Sequence, residues 1–595
     1  MHANRRISGN LVVLLLSSAV LNTLCLCFAF GVHEWPIFLG YLSHPVLFIL
    51  NWLPILLLQT ALYCCFNRHW PAFLIDAAVF LSGSIGNYFK LKFREEPFVF
   101  SDIGSVRAGI SVAGNYGVSL NKRMVLAIVL LAAVALYLFF QRKRDPLKHA
   151  ARIVILFVLL ASVFPLWHFV YSDGDLYLNL AEKNLIWETW DSRQYFVATG
   201  FPYPFLHSIT ESRDVPPSDY DGEQAKQLLI QFEDHAIEEK EKINILVLQL
   251  ESFTDLERMG VSGISNDVYS PLQALEKETI HGILVPNVIG GGTIDTERCL
   301  LTGSYGLQSY WKDSPSYVRY FNSQGYTTSF GHPNREFFYN RKNISDYLGF
   351  NESFFLENYY QDVTGGEWRC DKSFLPDVFR QFQESVNGEK PVFSFRVTLQ
   401  GHAPYHDTAF DEDGHFWQSE TASEQTTYII NNYLSMIAET QRLVLDGLME
   451  LSVNPEPCVV LIYGDHNPRL DDGNVYSDLG LSFDMQTEKG FLDYYGTPWM
   501  IWANNAAKEM MGSPFPGEGP TVSPGYLMNV LFDTLGWTGP AFMQFTSEIQ
   551  KTLPVVTTNG IFIENERLTM NPDDAGKKLL HDYECVQYYL RDSLN

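Results

Sequence analysis

The stretch Pro457–Pro468, PCVVLIYGDHNP, decides how the second half of this chain folds. A short, wholly apolar run rich in β-branched residues ends abruptly in Gly-Asp-His-Asn-Pro. Such a run reads as a strand buried on both faces, the pattern of a parallel sheet covered by helices. Three other stretches share the design: INILVLQLES (243–252), YTTSFGHPN (326–334) and PVFSFRVTLQGHAP (391–404). Each reads as a short strand until its polar end, which carries Glu251, His332 or His402 as the first carries Asp465 and His466. In open α/β sheets, ligands bind beyond the carboxyl ends of the strands. Four separate stretches therefore bring acids and histidines to one rim. Neighbouring residues on an extended strand point to opposite faces, so Asp465 and His466 reach a common ion only if the chain turns directly after the strand. Asp, Glu and His together suit a divalent cation such as zinc, manganese or magnesium. The plainer alternative for each acid is to cap the helix that follows.

Between these runs lie YIINNYLSMIAETQRLVLDGLMEL, with helical spacing, and the apolar strand TPWMIWAN. This alternation predicts an α/β domain with a mostly parallel central sheet. EQAKQLLIQFEDHAIEEKEK (223–242) has the spacing of an amphipathic helix. HGILVPNVIGGG is extended and runs into TIDTERCLLTG, a helical segment. The glycines allow close approach of the backbone to a ligand, and Thr293 then opens the helix, as its N-cap or as a nucleophile. A threonine hydroxyl is a weak nucleophile unless a metal or base activates it. Cys299, six positions on, reads as packing.

The first third of the 595-residue chain is different. Apolar runs at about 10–32, 45–66, 71–89, 124–141 and 153–171 are each near the length that crosses a bilayer. The first lacks a convincing small-residue cleavage site and reads as an anchor. Arg5, Arg6, Arg68 and the run QRKRDPLKHAAR place the N-terminus and the even loops in the cytoplasm. Lys90, Lys92, Arg94, Arg107, Lys122 and Arg123 in the loop after the third span oppose that bias. Five spans then put everything after about Tyr171 outside. RDVPPSDYDGE (213–223) has the composition of a linker. The net charge of −26 argues against nucleic acid as a partner. The cysteines show neither a zinc spacing nor a disulfide framework.

LVLQLESF, GGGTIDTE, GHPNREFFYNR, VTLQGHAPY and YGDHN, in this order after five spans, resemble the alkaline phosphatase/sulfatase superfamily. The resemblance is greatest to the lipoteichoic acid synthase group of membrane phosphoglycerol transferases, and covers nearly the whole chain. It implies one metal ion held by Glu251, Thr293, Asp465 and His466, manganese being usual and magnesium the alternative. It also implies Thr293 as the catalytic nucleophile that becomes glycerophosphorylated. Arg341 would contact phosphate, Phe338 and Tyr339 would wall the head-group pocket, and His332 and His402 would lie near the substrate. Tyr339 stands where Trp is common in the group, and Asn334 where Asp is common. Sulfatases carry Cys or Ser at the nucleophile position, Pro two residues on and Arg four residues on. Here these positions hold Thr293, Asp295 and Glu297, which argues against sulfate-ester hydrolysis.

The expected organisation is a five-helix transmembrane domain (1–172), a juxtamembrane linker with helices (173–242), a sulfatase-like catalytic domain (243–540) and its C-terminal extension (541–595). The expected activity, at a bacterial cell membrane with the catalytic domain outside, is transfer of glycerol phosphate from phosphatidylglycerol to a glycolipid or polyglycerolphosphate acceptor. Transfer of phosphoethanolamine, or of phosphoglycerol to a glucan, is the chemical alternative. A non-catalytic envelope-assembly module is the alternative of another class.

Overall fold

A computed structural model describes the chain except residues 1, 32–34, 95–96, 106–120, 142–146, 185–191, 212–215, 309, 311, 337, 362, 364–369, 404, 406–414, 471–473, 512–514 and 595. Part of the basic run after the fourth span, part of the loop after the third, and Arg213–Val215 of the linker cluster thus lie outside the described residues. The chain forms two compact units, Met1–Asp214 and Val215–Asn595.

In the first unit, Asn10–Ala29, Pro45–Phe66, His69–Lys92, Lys122–Phe140 and His149–Tyr171 are helices long and apolar enough to cross a membrane. Three shorter helices, Gly174–Glu182, Ser192–Thr199 and Pro202–Glu211, also belong to this unit. They fall where the sequence predicts a juxtamembrane linker. Asn51 shows why they pack here. Its Nδ2 donates to Leu47 O and Thr199 O, both at 2.8 Å, and its Oδ1 accepts from Phe201 N and Tyr203 N, both at 3.1 Å. A fully buried amide in an apolar bundle must satisfy every polar atom, and these short helices supply the partners.

The second unit is built on an eight-stranded sheet. Its strands are β1 (Asn244–Leu250), β2 (Ile280–Leu284), β3 (Thr327–Gly331), β4 (Glu352–Phe354), β5 (Val392–Val397), β6 (Cys458–Gly464), β7 (Thr497–Ala503) and β8 (Gly517–Glu518). Their order is β4-β3-β5-β1-β6-β7-β2-β8. The run β4-β3-β5-β1-β6 is parallel throughout, and β7 is antiparallel to both β6 and β2. All seven residues of β1 and of β6 are buried, as a strand with helices on both faces requires. Ile245, Val247, Val459 and Leu461 face one core with α2 (Thr293–Thr302) and α5 (Pro524–Leu535). Leu246, Leu248, Val460 and Ile462 face the other, with α1 (Asn266–Glu276), α3 (Asp371–Val386) and α4 (Glu424–Leu451). Each such side chain contributes about 1.5–3 kcal/mol on burial. A small antiparallel sheet, β9 (Val555–Val556), β10 (Phe562–Glu564) and β11 (Arg567–Thr569), follows.

The helix expected across 223–242 stops early, at Leu229. Beyond it the backbone pairs elsewhere: His235 N donates to Gly539 O at 3.1 Å and Ile237 N to Gln324 Oε1 at 3.0 Å. These long-range bonds and the burial of Ile237 outweigh a modest helical propensity.

Candidate metal and nucleophile site

β3, β5, β1 and β6 are consecutive and parallel, so their carboxyl ends share one rim. β1 and β6 lie in register, Leu250 opposite Gly464, which sets Glu251 beside Asp465 as the two strands end. The chain turns at both ends. Ser252 has φ 51°, and its N–H donates to Asp465 Oδ1 at 2.8 Å. His466 N donates to the same oxygen at 2.8 Å. The turn brings Asp465 and His466 to one side, with ligand atoms of Glu251, Asp465 and His466 within 4.8 Å of one another.

Thr293 enters this cluster from across the sheet rim. Gly290, Gly291 and Gly292 have φ of 67°, 153° and 81°, backbone that residues with a Cβ rarely adopt. A Cβ on Gly290 would stand 2.6 Å from Arg469 Cβ, so the loop also runs too close to its neighbour for a side chain. Gly292 occupies the N-cap position, which leaves Thr293 as the first helical residue with its hydroxyl turned to the acids. Its Oγ1 donates to Glu251 Oε2 at 3.1 Å. Gln249 Nε2 donates to Thr293 O at 3.1 Å, and Tyr463 OH donates to Gln249 Oε1 at 2.6 Å. Thr296 Oγ1 donates to Asp465 O at 2.7 Å. The start of α2 is thus tied to both central strands.

The cluster lacks a positive charge of its own. Asp465 is fully buried, and burial together with the Glu251 carboxylate raises its carboxyl well above the usual range. Burial lowers the His466 imidazole, with Glu251 opposing. His466 Nδ1 faces Asn467 O at 3.0 Å, which places the proton on Nδ1 and the lone pair on Nε2. Asp465 Oδ2 and His466 Nε2 have no hydrogen-bond partner among the described residues and lie 3.3 Å apart, and Nε2 is 3.6 Å from Glu251 Oε1. Two buried acceptors that converge with no donor of their own, beside the Glu251 carboxylate, fit a divalent cation, which offsets the two carboxylates and takes the imidazole lone pair.

The remaining expected residues lie on the ends of β3 and β5 and on the turn before the helix Arg341–Leu348. His332 is buried, with Nδ1 3.0 Å from Val397 O. Burial and then the Arg341 guanidinium hold it well below the usual imidazole range. His402 is half-buried, its Nδ1 against Ala403 O. Phe338 and Tyr339 are half-buried, with ring centroids 4.4 Å apart. Arg341 is 2% exposed; its Nε donates to Glu297 Oε2 at 3.0 Å and Nη2 lies 2.9 Å from the same atom. Cys299 is buried, and burial raises its thiol well above the usual range, which disfavours the thiolate.

Two residues of α2 have partners that the sequence does not announce: Glu297, paired with Arg341, and Arg298, whose Nη2 donates to Tyr339 O at 2.7 Å. Their only signal is their place in the motif that follows Thr293.

Residues 243–536 match the family model for sulfatases. This segment is a sulfatase-family domain. A protein of Rhizobium meliloti (strain 1021) assigned to cyclic beta-1,2-glucan modification is 24% identical over 379 residues, 60% of this chain and 56% of that protein. The match thus spans little more than half of that relative. The chain is also similar to the solved phosphoglycerol transferase GacH of Streptococcus pyogenes, in complex with sn-glycerol-1-phosphate. The identity is 18%, over 63% of this chain and 94% of that one, with a TM-score of 0.49. Lipooligosaccharide phosphoethanolamine transferase A of Neisseria meningitidis, an integral membrane protein, is 14% identical over 89% of this chain and 96% of its own, with a TM-score of 0.46.

Proposed function

We propose that the chain is a membrane-anchored phosphoglycerol transferase that takes glycerol phosphate from phosphatidylglycerol through a covalent intermediate on Thr293. One observation carries this reading. A threonine hydroxyl opens a helix at a glycine loop and lies 3.1 Å from one carboxylate of a buried Glu251–Asp465–His466 cluster. A threonine that served only to open the helix has no need of such a neighbourhood.

Glu251, Asp465, His466 and Thr293 Oγ would hold one divalent ion, manganese or magnesium. When bound, that ion supplies charge that favours the alkoxide and offsets the phosphoryl oxygens. In the first step Thr293 Oγ gives up its proton and bonds to phosphorus as the bond to the diacylglycerol oxygen breaks. That oxygen takes up a proton and diacylglycerol leaves. In the second step an acceptor hydroxyl attacks phosphorus and loses its proton, while Thr293 Oγ departs and takes one up. Arg341 would face the phosphoryl oxygens with the part of its fork not engaged by Glu297. Phe338 and Tyr339 would wall the head group. His332, kept neutral by burial, would offer an acceptor or donor to the substrate without adding charge, and His402 would serve the leaving or attacking oxygen.

A glycolipid or polyglycerolphosphate is the acceptor on this reading. A glucan acceptor is the second reading, favoured by the name of the Rhizobium relative. Five spans with the catalytic domain on the outer face would hold it near its lipid donor. The deciding experiment is mass analysis of the Thr293 peptide after incubation with phosphatidylglycerol, with phosphatidylethanolamine in parallel. A glycerophosphoryl adduct on Thr293 is expected. An unmodified peptide from protein that turns over would sink the mechanism, and an adduct only from phosphatidylethanolamine would replace the donor.

A further inference from the structure

The turn Phe338–Arg341 has an uncommon backbone. Tyr339 and Asn340 are both left-handed, with φ of 55° and 56°. Asn tolerates this region and Tyr does not, so two in succession persist only where the surroundings impose them. Two adjacent residues of α2 do so. Arg298 Nη2 donates to Tyr339 O at 2.7 Å, and Glu297 Oε2 accepts from Arg341 Nε at 3.0 Å. Arg298 is 5% exposed, with its guanidinium 5.6 Å from the Tyr310 ring centroid, which fixes where its donors reach. The Tyr339 ring lies 5.4 Å from the Arg341 guanidinium. One short helix therefore carries Thr293 on its first turn and, four and five residues on, grips both ends of this strained segment.

We infer that Arg298 is a positioning residue for head-group selection. By holding the Tyr339 carbonyl it keeps the left-handed turn formed. That keeps the Tyr339 ring against Arg341 at a set distance from the nucleophile. A rigid helix thus couples the spacing of head-group wall and nucleophile. The inference rests on the reading above, in which Tyr339 walls the head group. It assigns to Arg298 a selecting role that no contact with substrate requires.

The test uses the full-length protein in detergent with two substrates. Phosphatidylglycerol has the head group, and bis(p-nitrophenyl) phosphate has only the phosphodiester. Arg298→Met keeps the length and packing of the stem but removes the donors. It is expected to raise KM for phosphatidylglycerol about tenfold while kcat/KM for bis(p-nitrophenyl) phosphate stays within about twofold. Arg298→Lys, which keeps a donor, is expected to recover most of that loss. Asn340→Ala makes the left-handed turn costlier without touching Arg298 and is expected to raise the same KM; it carries the test alone if Arg298→Met does not fold. Unchanged KM in both Arg298→Met and Asn340→Ala overturns the inference. So does an equal loss on both substrates, which would mean that the grip serves the whole site. Wild-type protein that cleaves the small diester but no phosphatidylglycerol overturns the donor reading, a result distinct from either.

Discussion

Glu297 and Arg341 form an ion pair almost wholly removed from water, with Nε 3.0 Å and Nη2 2.9 Å from one carboxylate oxygen and side-chain exposures of 3% and 1%. Glu297 stands at the position where sulfatases carry arginine, so the pair also reports on chemistry. The acid engages one edge of the guanidinium and fixes its plane. Breaking a buried pair from one side leaves an uncompensated charge, at a cost of about 3–5 kcal/mol. Glu297→Gln should therefore destabilise the second unit by that order in urea unfolding. The double replacement Glu297→Leu with Arg341→Met should cost clearly less, since both charges go. A single variant as mild as the double would contradict the pairing.

The ion site makes a prediction that needs no substrate. Elemental analysis of purified protein should find one divalent ion per chain, lost on chelation together with a fall in the thermal transition. Asp465→Ala should abolish the ion, because two backbone N–H groups already orient that carboxylate for it. Thr293→Ala should keep the ion at lower affinity yet lose turnover by about a thousandfold or more. Retention of turnover in Thr293→Ala would end the case for a covalent step.

Gly401 ties the His402 loop to the metal site through its backbone. Its φ is +100°, and a Cβ there would stand 2.5 Å from the carbonyl oxygen of Glu251. That oxygen belongs to main chain and has nowhere to retreat. Gly401→Ala should lower both stability and ion affinity. Gly480 has φ +77° with nothing within 4 Å of where a Cβ would stand, so Gly480→Ala should cost only the conformational strain, about 1 kcal/mol, and leave ion binding alone. Equal ion affinities in the two variants would show that the clash is relieved elsewhere.

Asp371, at the start of α3, is fully buried and accepts from Thr440 Oγ1 at 2.7 Å. Burial pushes its carboxyl up to about 7. A folded-state value above the unfolded one means that the folded form holds the proton more tightly. The stabilisation is complete below pH ~4 and is lost as pH rises through about 7. Asp371→Asn keeps the acceptor for Thr440 and removes the titration. The unfolding free energy of the variant should therefore fall less than that of the wild type between pH ~5 and pH ~8.5, by an amount on the order of a few kcal/mol at most. Parallel pH profiles would show that Asp371 does not titrate in this range.

Much of the site can be read along the chain. A strand buried on both faces is mostly apolar, although Gln249, Ser394 and Arg396 are buried within β1 and β5, and acids and histidines gather where it leaves the sheet. LQLES, SFGHPN, LQGHAP and YGDHN announce the rim for that reason, and the structure sets β3, β5, β1 and β6 side by side. The five apolar helices are equally plain, because a bilayer demands a length and a composition that few other segments have. The spacing across 223–242 misleads, since it is helical throughout but its last turns find better partners in Gly539 and Gln324.

The sequence by itself determined which residues gather at the carboxyl edge of a covered sheet, and that a hydroxyl follows three glycines there. Those are local facts of pattern and backbone freedom. Only the tertiary structure decided that Asp465 and His466 turn to the same side. It alone decided that Glu297 meets Arg341 across 44 residues, and that Arg298 holds the main chain of Tyr339. Such contacts depend on the distance and orientation between elements. A grip on a backbone carbonyl leaves no trace in the identity of the residue that is gripped.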